Sequence, residues 1–276
     1  MELMIRGELR QLTSDDLTHA MELPRLAGWN QTLDDWKMLL RLEPQGCFAI
    51  AVDEQIVATT TLIRYGTRLA WIGMVLTRPE YRRMGLAKRL MERVLAQASE
   101  QKISSVMLDA TAEGQPLYEK LGFKTEQIVE RWFREGDAAA RLEDETSAGA
   151  IPFSKKMDLE AFGADRSLLL EELEKRNPSH GLSDAYCFSR EGTRRRFLGP
   201  CVAADPANAR IVIEQTLREG SASGWFWDLL VANENAVRLA KEFGFTPQRR
   251  LERMVLGERL PKKDEMVYAI SGFELG

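Results

Sequence analysis

The stretch of this sequence with the strongest chemical suggestion is Val75-Leu76-Thr77-Arg78-Pro79-Glu80-Tyr81-Arg82-Arg83-Met84-Gly85-Leu86-Ala87-Lys88. It reads as an apolar strand, a proline turn and a glycine loop that opens a helix. A helix start presents free backbone N–H groups and the positive end of the helix dipole to whatever lies before it, so an anionic phosphate is its natural guest. Gly85 lets a backbone approach such a group closely, Ala87 keeps the first turn free of bulk, and Arg82, Arg83 and Lys88 supply positive charge. A bare R-x-x-G-x-A also occurs where a helix merely begins after a glycine, so its neighbours must decide. No G-x-G-x-x-G follows a strand and no G-x-x-x-x-G-K-[ST] is present. Dinucleotide-binding folds and P-loops are therefore set aside.

The elements that must position this loop follow from apolar periodicity. Ala70 to Leu76 is apolar on both alternations and reads as a central strand buried on both faces. From Leu86 the apolar residues Leu86, Leu90, Met91, Val94, Leu95 and Ala98 form a helical stripe that should pack on the sheet. Before them come a strand over 7–12, a short helix capped by Ser14-Asp15-Asp16, and a helix opened by Thr32-Leu33-Asp34-Asp35. A hairpin of strands over 47–52 and 56–65 turns at Asp53-Glu54. After the stripe come a strand over 105–109, a short helix ending at Leu121-Gly122 and a returning strand over 123–133.

Taken together, Pro79 to Ala87 resembles the signature of the GNAT superfamily of N-acetyltransferases, a hydrophobic strand and a Pro followed by [RQ]xxGx[GA] at a helix start. Leu117-Tyr118-Glu119-Lys120-Leu121-Gly122-Phe123 looks like the family's second signature, at the expected distance. The resemblance covers Met4 to Phe133 well and the remainder loosely. It implies a mixed α/β acyl-CoA N-acyltransferase fold and acetyl-CoA as cosubstrate. The pyrophosphate would be held by the backbone of Arg83, Met84, Gly85, Leu86, Ala87 and Lys88, and the pantetheine arm would lie along Val75, Leu76 and Thr77. Sheet edges carry unpaired amides that an amide-containing ligand can satisfy. The family's tyrosine, here Tyr118, would protonate the departing thiolate; a phenol of pKa about 10 is a reasonable acid for a thiol of about 8.5. Packing under the loop is its bland alternative. Asp109 is the candidate base by the same resemblance, although it could equally cap the following turn. Where the family often has Asn, seven residues before the tyrosine, this chain has Thr111.

With 276 residues the chain is long for one domain, and two are expected. The segment Gly136 to Pro152 is rich in Ala, Glu, Asp and Ser and reads as a linker, giving domains over 1–135 and 157–276 with a linker over 136–156. The second half repeats the first in outline: a helix over 165–175, strands over 185–190 and 196–203, a helix over 206–218, a strand over 225–231, a helix opened by Asn233, and strands over 251–256 and 265–270. Leu239 to Phe245 echoes Leu117 to Phe123, with Ala240 at the tyrosine position. Val202 to Arg210, in place of the phosphate loop, holds no glycine. The second half is expected to share the fold, to be non-catalytic, and to help shape an acceptor pocket between the domains. Arg194-Arg195-Arg196 reads as a solvated strand end, with steering of an anionic group as the alternative, and Trp225 and Trp227 read as core.

Composition narrows the rest. Apolar residues make up 44% and charged residues 29%, a balance that supports an ordinary core. The net charge of −4 is spread without a basic patch, so neither nucleic acid nor a membrane surface is an expected partner. Three dispersed cysteines give no disulfide framework and no CxxC pair, which fits a reducing cytoplasm. The first ten residues lack the apolar core of a signal peptide, and no stretch approaches a membrane span. Two histidines, His19 and His180, exclude a multi-histidine metal site, and both read as surface residues. The expected activity is acetyl transfer to a primary amine of a small molecule or peptide by direct attack on the thioester. The competing reading is an acyl-CoA-binding regulatory module without turnover. A homodimer stays open, and the acceptor is not legible.

Overall fold

The computed structural model describes residues 7–136 and 153–276. The first half runs β1 (Glu8–Gln11), α1 (Leu17–Ala20), α2 (Glu22–Leu26), α3 (Leu33–Leu42), β2 (Cys47–Val52), β3 (Gln55–Tyr65), β4 (Leu69–Thr77), α4 (Leu86–Glu100), β5 (Ser105–Ala110), α5 (Gln115–Lys120) and β6 (Lys124–Arg134). The second runs α6 (Lys155–Phe162), α7 (Ser167–Arg176), β7 (His180–Leu182), β8 (Ala185–Arg190), β9 (Arg196–Ala203), α8 (Pro206–Arg218), β10 (Trp225–Leu230), α9 (Glu234–Glu242), β11 (Thr246–Gly257) and β12 (Val267–Ala269). Local chemistry starts these elements where the sequence says it should. At α3 the Thr32 hydroxyl accepts from the Asp35 amide at 3.2 Å, and the Asp35 carboxylate accepts from the Thr32 amide at 2.8 Å. That reciprocal cap satisfies two donors a helix start leaves over.

All strands join one sheet, ordered β1-β2-β3-β4-β5-β11-β6-β10-β9-β8-β7, with β12 added on β9. The halves are thus not two closed units. β11 of the second half lies between β5 and β6 of the first, and β6 lies between β11 and β10. Each half lends the other its long strand across an approximate two-fold axis where β6 and β11 run antiparallel. Two buried ion pairs mark the exchange. Arg253 on β11 donates twice to Asp109 on β5, both at 2.9 Å, and Arg131 on β6 donates twice to Asp228 on β10, at 2.7 and 2.6 Å. Forked guanidinium–carboxylate geometry of this kind fixes register as well as charge.

Helices α4 and α5 cover one sheet face over the first half and α8 and α9 cover it over the second, each pair on its own apolar cluster. The stripe read from Leu86 to Ala98 is buried apart from half-buried Leu95, and Trp225 and Trp227 are buried as expected. The other face carries α1 to α3, α6 and α7 on a single core running from Trp36 and Trp71 to Tyr186 and Phe188, across both halves. The segment Ser271–Gly276 also docks there: Tyr65 donates to the Leu275 carbonyl at 2.7 Å and Trp71 to the Phe273 carbonyl at 3.0 Å. Gly73 makes room for it, since a Cβ at that position would fall 2.5 Å from the Glu274 carbonyl oxygen.

Several expectations need revision. Most of the 136–156 linker lies outside the described residues, but its last residues are structured: Ser154 caps α6 through the Met157 amide at 3.3 Å, so that helix begins at Lys155. The strand expected over 265–270 is a 3-10 turn, Asp264–Met266, followed by the short β12. β11 begins at Thr246 and not at 251, because its first residues pair with β6. His180 is half-buried and sits 2.7 Å from Glu219. Arg195 and Arg196 are not left to solvent; Arg195 pairs with Glu135 at 2.8 Å and Arg196 with Glu219.

Candidate active site

β4 and β5 are parallel neighbours only from Leu69 to Trp71 and from Ser105 to Met107. Beyond those residues the two strands part. A bulge opposite Thr60 lies at the divergence, with Met74 in the left-handed region at φ 49° and its carbonyl accepting from the Thr59 hydroxyl at 2.8 Å. Such irregularities bend a strand away from its neighbour. Val75 and Thr77 stand half-buried and Leu76 buried along the diverging end of β4. Arg78 ends the strand and anchors it, donating to the Ile56 carbonyl at 3.1 Å and pairing with Glu22 on α2.

The loop that follows turns through Pro79–Tyr81 and enters α4 at Gly85. Arg83 and Gly85 both have positive φ, 62° and 77°. Among the described residues no side chain caps α4. Arg83, Met84, Gly85 and Lys88 are exposed, Ala87 is half-buried and Leu86 points into the core. A Cβ at Gly85 would meet no atom within 4 Å. The glycine is thus required by conformation and not by protein crowding, and the uncapped helix start faces open space at the end of β4. Arg82 leans back over the loop, 3.5 Å from Glu113.

Tyr118 lies on α5, 7% exposed, its ring edge-on to Phe123 at 6.1 Å between centroids. Among the described residues no hydrogen bond holds its hydroxyl, and burial pushes its pKa above the ordinary phenol value, so it stays protonated. Thr111, at the position where the resemblance leads one to expect Asn, accepts from the amides of Gly114 and Gln115 through its carbonyl and shapes the entry to α5. Asp109 is on the neighbouring strand with its side chain wholly buried, both oxygens engaged by Arg253. Burial raises its pKa, and the Arg253 charge opposes that rise. This partner is 144 residues away along the chain.

The second half places the same elements differently. β9 and β10 are parallel from Arg196 to Leu198 and Trp225 to Trp227 and then part, as β4 and β5 do. Into that gap comes β12, pairing with Cys201 and Val202 of β9, while Ile270 donates to the Asp228 carbonyl at 2.9 Å. Trp227 closes the other side by donating to the Tyr268 carbonyl at 2.8 Å. At the start of α8 the Asp205 carboxylate accepts from the Ala207 and Asn208 amides at 2.8 and 2.9 Å, so the chain supplies its own anion there. Asn233 caps α9 and donates to the Glu265 and Val267 carbonyls, both at 3.0 Å.

The second half also holds the loop between α2 and α3, on the face opposite α4. Asn30, between α2 and α3, donates to the Arg195 carbonyl at 2.9 Å and accepts from the Arg194 and Arg195 amides, both at 3.0 Å. Among the described residues no group of three or more His, Cys, Asp or Glu could hold a metal ion, and no helix is long and apolar enough to cross a membrane.

Comparison with known proteins falls along these halves. A family profile described as the acetyltransferase (GNAT) family matches residues 8–123, and one described as an acetyltransferase (GNAT) domain matches residues 155–269. The uncharacterized N-acetyltransferase YitH of Bacillus subtilis is 32% identical over 184 residues, which span 60% of this chain and 60% of YitH. A crystal structure from Pyrococcus horikoshii superposes with a TM-score of 0.85 over 98% of this chain and 96% of its own, at 23% identity. A GCN5-related N-acetyltransferase from Sphaerobacter thermophilus gives 0.65 over 94% and 99%, at 15% identity. Such low identities bear on the fold alone: two tandem GNAT-like units in mixed α/β form.

Proposed function

We propose, from the premise that this chain belongs to the GNAT acetyltransferase family, that its first half transfers an acetyl group from acetyl-CoA to a primary amine of a small molecule or peptide by direct attack. The observation that carries the reading is the contrast between two equivalent helix starts: α4 is uncapped behind diverging strands, whereas α8 is capped by Asp205 behind a gap that β12 enters. A diphosphate suits the first arrangement, where the amides from Arg83 to Lys88 would hold it and the pantetheine amides would pair along Val75 to Thr77. Acetyl-CoA supplies the activated thioester. Tyr118 keeps a proton ready for the leaving thiolate. Asp109 as base requires release from Arg253 first. The second half is read as non-catalytic, its role being to hold the Asn30 loop that borders the acceptor side. A cytoplasmic enzyme is the setting this chemistry fits.

Gly85→Val tests the cradle. A β-branched residue at φ 77° costs about 1–2 kcal/mol locally, and its Cβ stands clear of other protein atoms beside the helix-start amides. Calorimetry is expected to show acetyl-CoA affinity reduced by about tenfold or more; an unchanged Kd would overturn the reading. Tyr118→Phe removes one hydroxyl and keeps the ring. Its kcat is expected to fall about a hundredfold, within the range for a lost general acid. If kcat is unchanged over a broad amine panel, the proton comes from elsewhere.

A further inference from the structure

Arg249 is the residue of the sheet's centre that the proposed chemistry leaves unexplained. It sits on the part of β11 that runs past the last β5 pairing, Glu252 with Ala110, and it shares a face with Arg253. That is the face opposite α4, on the acceptor side of the first half's slot. On β6 it is paired in register with Arg131, whose guanidinium is already neutralised by Asp228 on β10. From the α2–α3 loop comes Trp29, whose ring lies 5.9 Å from the Arg249 guanidinium carbon. Trp29 is held in place by its neighbour Asn30 and by its own carbonyl, which accepts from the Thr193 hydroxyl at 3.2 Å.

Among the described residues Arg249 has no ion pair, although it is only half exposed. Its counterparts Arg131 and Arg253 on the same face each hold a forked carboxylate. A half-buried guanidinium next to a second arginine is electrostatically costly, and burial pulls its pKa down. An indole 5.9 Å away offers a cation–π attraction but does not satisfy the guanidinium's donors. The remaining donors suit a planar, bidentate anion.

We propose that Arg249, with Trp29, is the subsite for a carboxylate borne by the amine acceptor, so that the acceptor class is amino acids and related amino carboxylates. This rests on the acetyltransferase reading given above. The second half then contributes to substrate choice in two ways: it supplies Arg249 from β11 and pins the loop that carries Trp29.

The test uses the full chain loaded with acetyl-CoA and a panel of the common amino acids, each paired with its amide. The best acceptor is expected to exceed its amide in kcat/KM by about tenfold or more, the size of one charge-assisted fork. Arg249→Gln is expected to bring that ratio to about one by raising KM for the carboxylate, and Arg249→Lys to leave an intermediate ratio, since charge remains without the fork. Calorimetry of N-acetyl amino acids against N-acetyl amino amides on the CoA-bound protein gives the same comparison without turnover. Equal binding of the two, no binding of either, or a ratio unmoved by Arg249→Gln would overturn the proposal. Failure to bind acetyl-CoA would instead overturn the acetyltransferase reading.

Discussion

A chain cut after Gly136 is expected to give no folded monomer of the first half, and co-expression of residues 137–276 is expected to restore a soluble complex. The first half lacks the strand that belongs beside β5. Without β11, Leu108, Asp109 and Ala110 present an open edge, and the carboxylate of Asp109 loses both of its hydrogen bonds in a buried position. The apolar face shared by Trp71, Phe162 and Tyr186 is cut through the middle of one core. An exposed edge and an exposed core face together favour aggregation. The approximate two-fold axis allows one escape: β6 of a second copy could take the place of β11, bringing Arg131 of that copy to Asp109. A dimer of fragments is therefore compatible with the exchanged sheet. A monomeric fragment that unfolds cooperatively on heating, seen by light scattering and circular dichroism, is not.

The second large effect is at the ion pair itself. Asp109→Ala leaves Arg253 buried and unpaired between β5 and Trp71, which its guanidinium covers at 4.6 Å. Breaking a buried pair from one side costs about 3–5 kcal/mol, whereas replacing both members by apolar groups is often neutral. Urea melts are expected to show a loss of that size for Asp109→Ala, and recovery of most of it in Asp109→Ala/Arg253→Met. Asp228→Ala, the related break on the far side of the axis, should match the single variant. A loss below about 1 kcal/mol, the level of an exposed pair, would contradict the burial. The stable double variant also separates structure from chemistry. Turnover that stays lost there assigns a proton transfer to Asp109, and turnover that returns removes Asp109 from the reaction.

Much of the local structure is written in nearest neighbours. Thr32 with Asp35 specifies a cap, the apolar spacing from Leu86 to Ala98 specifies a buried helix stripe, and Gly85 marks the left-handed turn before it. Each of these depends on residues within a turn or two, where sequence spacing and spatial contact coincide. The exchange of β6 and β11 depends on nothing local. Both strands alternate in the same way and follow the same Leu-Gly-Phe or Phe-Gly-Phe ending, so either could lie beside β5 as far as pattern is concerned. The exchanged order shows instead in contacts such as Arg253 with Asp109 and Arg131 with Asp228, more than ninety residues apart along the chain. The same distance hid Arg249 and the Arg253 partner of Asp109. A signal did exist: Arg131 and Arg253 follow Phe123 and Phe245 by the same count, a repeated buried charge in two otherwise apolar strands. The strand expected over 265–270 shortens to β12 because its three residues are set by the gap they enter.

The interleaved sheet has a consequence for how the protein is made. Ribosomes deliver the amino end first, yet β5 meets its proper neighbour only after Gly257 has emerged, and Tyr65 and Trp71 wait for carbonyls at 275 and 273. The first half must remain unfinished throughout most of translation, and contacts this far apart in the chain form slowly. Expression at low temperature, or with holdase chaperones, is expected to raise the soluble yield more for this chain than for a single-unit relative whose sheet closes on itself.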